Sequence, residues 1–105
     1  MINREEIIQL IFRAIDEVNQ LLPPERRLQK THETILSDRF EMGGLDSLGM
    51  VNFIIALEQV IREETQVSLS LADDLTISQE HNPFETVAAL ADDINLFLKR
   101  HQHSS

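Results

Sequence analysis

Three stretches of the chain repeat apolar residues at helical spacing, and the connections between them contain proline or glycine. The first stripe consists of Ile7, Ile11, Ala14, Ile15, Val18 and Leu22. The second consists of Leu48, Val51, Ile54, Leu57, Val60 and Ile61. The third consists of Phe84, Val87, Leu90, Ala91, Ile94, Phe97 and Leu98. Each stripe predicts a helix with one apolar face. A chain of 105 residues is expected to form one domain, so these faces bury one another in an all-α bundle.

The first predicted helix has signals at both ends. It runs from Arg4 to about Leu22, with Asn3 as its N-cap and Glu6 at N3, which is a capping-box arrangement. The pair Pro23-Pro24 stops it.

The connection over residues 23–45 is longer than most connections in compact domains. Its apolar residues predict anchors that hold it across the bundle, namely Leu28, Ile35, Leu36 and Phe40. Thr34 to Asp38 predicts a short helical turn.

The second helix is predicted from Ser47 to about Glu64. Asp46 is a favoured N-cap, and Leu45 and Met50 have the spacing of a hydrophobic staple. Because this helix is the most apolar, we expect it to pack against all the others. The other large apolar residues are placed beside its buried stripe or toward its flank: Phe53, Met50 and Ile55.

A short helix is predicted between the second and last long helices. Val67, Leu69 and Leu71 alternate with polar residues, but a lone strand has no partner, so we expect an extended segment there. A short helix over residues 72–77 follows it.

The last helix is predicted to start at Pro83, with Asn82 as its N-cap, Pro83 at N1 and Glu85 at N3. It runs to about Arg100, and residues 101–105 form a frayed, disordered tail. The domain therefore covers residues 1–100, and the predicted fold is a four-helix bundle with three long helices and one short one.

Composition narrows the classes of function. The chain has no cysteine, which excludes disulfides, thiolate metal sites and a cysteine nucleophile. A net charge of −9 argues against nucleic-acid binding and favours partners with basic surfaces. No apolar run is long enough to span a membrane, and the N-terminus is too acidic for a secretory signal, so we expect a cytoplasmic protein.

Ser47 is the candidate for chemistry, because it lies in the first turn of a predicted helix. Backbone N–H groups and the positive end of the helix dipole favour an anion attached there, such as a phosphodiester. A hydrolase elbow would need glycine at position 45, where Leu45 stands, and a sheet beneath it. The alternative is that Asp46 and Ser47 serve only to start the helix.

The residues around Ser47 resemble the prosthetic-group site of acyl carrier proteins. The resemblance starts with Asp46-Ser47-Leu48 at the beginning of the second helix. It continues through Val51, Phe53, Ile54, Ala56, Leu57 and Glu58, and again through residues 84–90. It covers roughly residues 3–100, and the family has the same plan of four helices with a short third one.

The resemblance implies a covalent cofactor and a set of partners. It implies that Ser47 carries 4′-phosphopantetheine, with Asp46, Leu48 and Gly44 around the attachment point. It implies docking by a phosphopantetheinyl transferase and by acyl-loading and acyl-processing enzymes. The docking residues it implies are Leu45, Gly49, Met50, Asn52, Ile55 and Glu58. It implies no catalytic residue and no bound metal, and we expect a monomer.

Saturated acyl chains carried on such an arm need shelter from water. We expect the second and last helices to open for one, with Met50, Phe53 and Ile55 near the entrance, unless these three are ordinary core or surface residues.

The chain departs from the family along the exposed side of the second helix. Many members carry carboxylates there, whereas this chain has Gly49 and Asn52. We therefore expect a carrier in a specialised lipid, fatty-acid or polyketide pathway. Two alternatives remain open: a carrier-like adaptor whose serine is never modified, and a carrier of aminoacyl or peptidyl groups.

Overall fold

A computed structural model of the chain describes residues 2–36, 45–71 and 82–103. The protein is mostly helical over these ranges. The structure has three long helices, α1 (Arg4–Asn19), α2 (Ser47–Thr65) and α3 (Val87–His103), and a short 3₁₀-helix, Pro24–Arg26, in the connection after α1. Within the described ranges there is no β-strand, and the one β-bridge joins Ile35 and Thr86.

Helix α1 begins where the sequence predicts and ends earlier. The Asn3 side chain accepts a hydrogen bond from the Glu6 amide at 2.9 Å, which confirms the N-cap. The helix ends at Asn19 rather than Leu22, and the Asn19 side chain forms hydrogen bonds with the backbone of the following connection. Its Nδ2 donates to the Leu28 carbonyl at 2.9 Å, and its Oδ1 accepts from the Leu28 amide at 2.8 Å.

Helix α1 is the central element of the described bundle, because it packs extensively against both α2 and α3. The sequence predicts this central role for α2. Within the described ranges the extensive contacts of α2 are with α1, and its packing against the short helix predicted over residues 72–77 stays a prediction. Two neighbours require a wider buried face than one stripe provides. The predicted residues Ile7, Ile11, Ala14, Ile15 and Val18 are all buried, and so are Ile8 and Leu10.

Helix α2 has the predicted bounds to within one residue, but its apolar face is rotated. Phe53 and Leu57 are fully buried, whereas Leu48 and Val51, which were predicted to face the core, are exposed. At 3.6 residues per turn, the exposed pair lies on the side of the helix opposite Phe53. The helix ends at Thr65, and its C-cap, Gln66, has a left-handed φ of 64° and donates its N–H to the Arg62 carbonyl.

The connection before α2 is anchored by fewer residues than predicted. Leu36 is fully buried and Leu28 is partly buried, but Ile35 is exposed, so its role as an anchor is wrong. Residues 34–36 do not form the predicted helical turn, because Ile35 is in extended pairing with Thr86. Phe40 and the remainder of that turn lie outside the described residues.

Residues 66–70 after α2 form neither helix nor strand, Leu71 is helical, and both Leu69 and Leu71 are buried in the core. The Leu71 amide donates to the Glu58 carboxylate at 2.8 Å, which ties this segment back to α2. The predicted short helix near residues 72–77 lies outside the described residues.

Helix α3 begins four residues later than the predicted start at Pro83. Asn82 is not its N-cap: the Asn82 side chain accepts from the Phe84 amide at 3.0 Å and closes a separate turn. Thr86 caps the helix instead, since its hydroxyl accepts from the Ala89 amide at 3.1 Å. The helix continues through His103, so the predicted tail is helical over its first three residues.

No helix within the described ranges is long and apolar enough to cross a membrane.

Candidate functional site

Helix α2 starts with a short and regular cap at Asp46. The Asp46 carboxylate accepts from the Gly49 amide at 2.7 Å, and the Asp46 carbonyl accepts the first helical bond from Met50 at 2.8 Å. Its backbone is extended, with φ −75° and ψ −177°, as an N-cap requires. The predicted cap is therefore confirmed.

Leu45 connects this start to the core. Its amide donates to the Leu36 carbonyl at 2.8 Å, and its half-buried side chain packs against the core, as does Met50. The two residues thus have the partial burial that a hydrophobic staple needs. The strand-like pairing of Leu36 with the start of α3 holds the beginning of α2 at the same end of the bundle.

Gly49 allows a close approach of the capping residues. A Cβ at Gly49 would lie 3.1 Å from Asp46 Oδ1 and 3.2 Å from Leu45 Cδ2. Gly49 is also buried. It therefore provides room for the cap, rather than a surface that a partner could contact.

Ser47 is the first residue of α2, which is the position that the sequence predicts. Both of its chain neighbours, Asp46 and Leu48, are exposed. The first amides of a helix have no partner within it, and here the Gly49 amide is satisfied by Asp46. The Ser47 side chain and the glycine predicted nearby, Gly44, lie outside what the structure describes.

The exposed side of α2 is apolar near its start. Leu48 is 70%, Val51 52% and Ile55 58% exposed, and their spacing places them on one face. Asn52 borders this face and is half-buried. Of the predicted docking residues, Ile55 and Asn52 thus lie on a continuous face beside Leu48. Leu45 and Met50 lie mostly inward.

The carboxylates farther along α2 are engaged within the chain. Arg13 of α1 donates to Glu64 at 2.8 Å and lies 3.9 Å from Glu63. Glu58 accepts the Leu71 amide and is half-buried. The sequence predicts that this side of α2 is less acidic than in the family. The contacts within the chain leave even fewer of its carboxylates without a partner.

The residues expected at an acyl-chain entrance do not meet. Phe53 is fully buried, Met50 is half-buried, and Ile55 is exposed on the opposite side of α2. An open cavity of about 520 Å³ lies beside Ile55 instead, between α2 and residues 68–70. Its rim carries Glu58 and Arg62, so it is amphipathic rather than purely apolar.

Sequence reasoning missed two residues near this face: Glu17 in the last turn of α1 and Leu21, two residues after α1 ends. Both line a smaller groove of about 200 Å³ together with Ile55 and Asn52. No signal in the sequence indicates this proximity, because it depends on how α1 packs against α2.

The chain was compared with protein-family models, with curated proteins and with solved structures, and nothing matches.

Proposed function

We propose that this protein is a stand-alone acyl carrier that holds acyl intermediates as thioesters on a 4′-phosphopantetheine arm attached to Ser47. Its fold would then be the four-helix bundle of acyl carriers, with the short helix near residues 72–77. The observation that carries the proposal is the start of α2. A serine is the first residue of a side-chain-capped helix, between two exposed residues.

The attachment reaction is a phosphoryl transfer from coenzyme A. The Ser47 hydroxyl oxygen forms a bond to the phosphorus that bears the pantetheine. The pyrophosphate bond breaks, and adenosine 3′,5′-bisphosphate leaves. A transferase takes the hydroxyl proton, so the carrier needs no base of its own. The attached arm supplies a terminal thiol on a flexible tether, which presents the acyl group at high effective concentration to each docked enzyme.

The helix start suits the product of this reaction. A phosphodiester on Ser47 is an anion next to the first-turn amides and the positive end of the α2 dipole. Asp46 has two compatible roles: its carboxylate caps Gly49, and by resemblance to the family it assists the transferase.

The apolar face beside the helix start supports docking. Leu48, Val51 and Ile55 form an exposed stripe that the core does not require, and exposed apolar patches often mark interaction sites. Because Glu58 accepts a backbone amide, and Glu63 and Glu64 both lie beside the cation of Arg13, partners would recognise this stripe mainly through apolar contacts. This supports a specialised pathway rather than a general fatty-acid carrier.

The decisive test is intact mass after incubation with coenzyme A and a broad-specificity phosphopantetheinyl transferase. The wild-type chain should gain one phosphopantetheine, and Ser47→Ala should gain none. Ser68→Ala is the matched control, since Ser68 is exposed and lies outside the helix start, so this substitution should leave the gain unchanged. A gain that persists in Ser47→Ala, or no gain with several transferases, would contradict the proposal.

The exposed stripe also suits a second candidate, an unmodified adaptor, because apolar docking needs no arm. Absence of modification would favour it. If the chain is modified, loading tests separate acyl from aminoacyl cargo. Efficient elongation by a general fatty-acid synthesis set would argue against a specialised pathway.

A further inference from the structure

The exposed apolar stripe of α2 continues onto α1. Leu21, just after the end of α1, is 68% exposed, although it is a large aliphatic residue. It lines the groove of about 200 Å³ together with Val18 of α1 and with Ile55 and Ala56 of α2. Ile55 belongs both to this groove and to the stripe, so Leu21 and the stripe form one surface.

This groove is close to the candidate attachment residue. Asn52, which also lines it, follows Ser47 by five residues, or about 7.5 Å along the helix axis. A standard protein interface covers about 800 Å² on each partner. An enzyme that acts on Ser47 therefore has a footprint large enough to reach the groove.

The groove has a negative rim that α2 does not provide. Glu17 lines it and is exposed, and no hydrogen bond or ion pair joins the Glu17 carboxylate to any described residue. The neighbouring Asp16 carboxylate already forms an ion pair, since its Oδ1 lies 3.2 Å from Lys30 Nζ. Among the described residues that line the groove, none is basic.

The negative charge at the groove indicates what kind of partner binds there. A second copy of the chain would bring another acidic surface, at a net charge of −9, against Glu17. A basic amphipathic segment would place an apolar side chain in the groove and a lysine or arginine beside Glu17. The complementary partner is therefore a different protein with a basic docking segment.

We propose that the transferase that modifies Ser47 docks on both helices. Its specificity-determining contacts beside the stripe of α2 are Glu17 of α1 and Leu21, which follows α1. This inference rests on the proposed function. The acidic residue that contacts the partner is then Glu17 on α1, rather than a carboxylate on α2.

The experiment measures the kinetics of phosphopantetheine transfer from coenzyme A by a broad-specificity transferase. Leu21→Ser and Glu17→Lys should each raise KM by about fivefold or more, as for an interface contact worth about 1 kcal/mol, with kcat unchanged. Leu96→Ser and Glu5→Lys are the controls, because they make the same changes at exposed positions on α3 and at the opposite end of α1. Both should stay within about twofold of wild type, within the range of a residue outside the interface. Circular dichroism confirms that each variant is folded.

Binding of the same transferase to Ser47→Ala variants, followed by titration calorimetry, separates the two proposals. If the wild-type chain is modified and the KM is unchanged in Leu21→Ser and Glu17→Lys, the proposed contact is wrong and the carrier function still holds. Neither binding nor modification would overturn both. A concentration-dependent dimer in sedimentation that Leu21→Ser abolishes would also overturn the inference, because the surface would then be covered by a second copy.

Discussion

Helices α2 and α3 both begin with a side-chain N-cap, but the surroundings of the two caps differ. Each helix follows an irregular connection, and each is capped by a side chain that accepts from the amide three residues on: Asp46 from Gly49, and Thr86 from Ala89. At α3, however, the connection before α2 occupies two further amides. Val87 donates to the Thr34 carbonyl at 3.1 Å and Ala88 to the His32 carbonyl at 2.9 Å.

The two helix starts also differ in burial. Phe84 and Val87 are buried at the start of α3, whereas Asp46 and Leu48 are exposed at the start of α2. The start of α3 is therefore a structural joint, and that of α2 faces outward. A capped helix start becomes a candidate site only where the tertiary structure leaves it uncovered.

The largest expected effect comes from the residue that joins the two starts. The Leu36 amide donates to Glu85 and its carbonyl accepts from Leu45, while its side chain is fully buried. Leu36→Ala should lower the free energy of unfolding by about 2–5 kcal/mol, because it leaves a cavity in the core. Urea denaturation followed by circular dichroism measures this. Ile35→Ala is the control at an exposed neighbour, and equal losses in the two variants would contradict the assigned anchor.

The two caps should have similar effects on stability and different effects on modification. Asp46→Ala and Thr86→Ala should each cost about 1 kcal/mol of unfolding free energy, since each removes an N-cap acceptor. Only Asp46→Ala should also slow transfer of phosphopantetheine to Ser47, because only that start is the candidate site.

Asp46→Asn separates the two roles of the aspartate. It keeps a capping oxygen, so stability should stay close to that of wild type. A slower transfer would then report the lost carboxylate charge. If Thr86→Ala slowed transfer as much as Asp46→Asn, the contrast between the two starts would be wrong.

The smallest expected effect on stability is at the exposed stripe. Leu48→Ser should change the free energy of unfolding by no more than about 0.5 kcal/mol, since the side chain is 70% exposed. It should nevertheless reduce kcat/KM for transfer by about fivefold or more, as expected for an interface contact of about 1 kcal/mol. Denaturation and transfer kinetics on the same samples test both halves. A large loss of stability would mean that Leu48 belongs to the core.

The rotation of α2 shows where sequence patterns reach their limit. Leu48, Val51 and Ile54 fit a helical stripe, and so do Phe53, Ala56, Leu57 and Val60. Because α2 is apolar on more than one side, its periodicity fits two faces. Packing against α1 decides between them: it buries Phe53 and leaves Leu48 and Val51 exposed.

The start of α3 shows a related limit. Asn82, Pro83 and Glu85 form a strong local signal for a helix start, but the backbone pairing of Ile35 with Thr86 comes between them and the helix. That pairing joins segments about fifty residues apart, so no local pattern contains it. The cap at Asp46 was predictable because its partner, Gly49, is three residues away.

The amino-acid sequence by itself determined the three long helices, the caps at Asn3 and Asp46, and the position of Ser47 as the first residue of α2, because these depend on contacts within one or two turns. Only the tertiary structure decided which apolar residues are exposed, which carboxylates are occupied, and that Leu21 and Glu17 lie beside Ile55. Those features depend on how helices pack against one another, and a helix that is apolar on several sides leaves its own orientation undetermined.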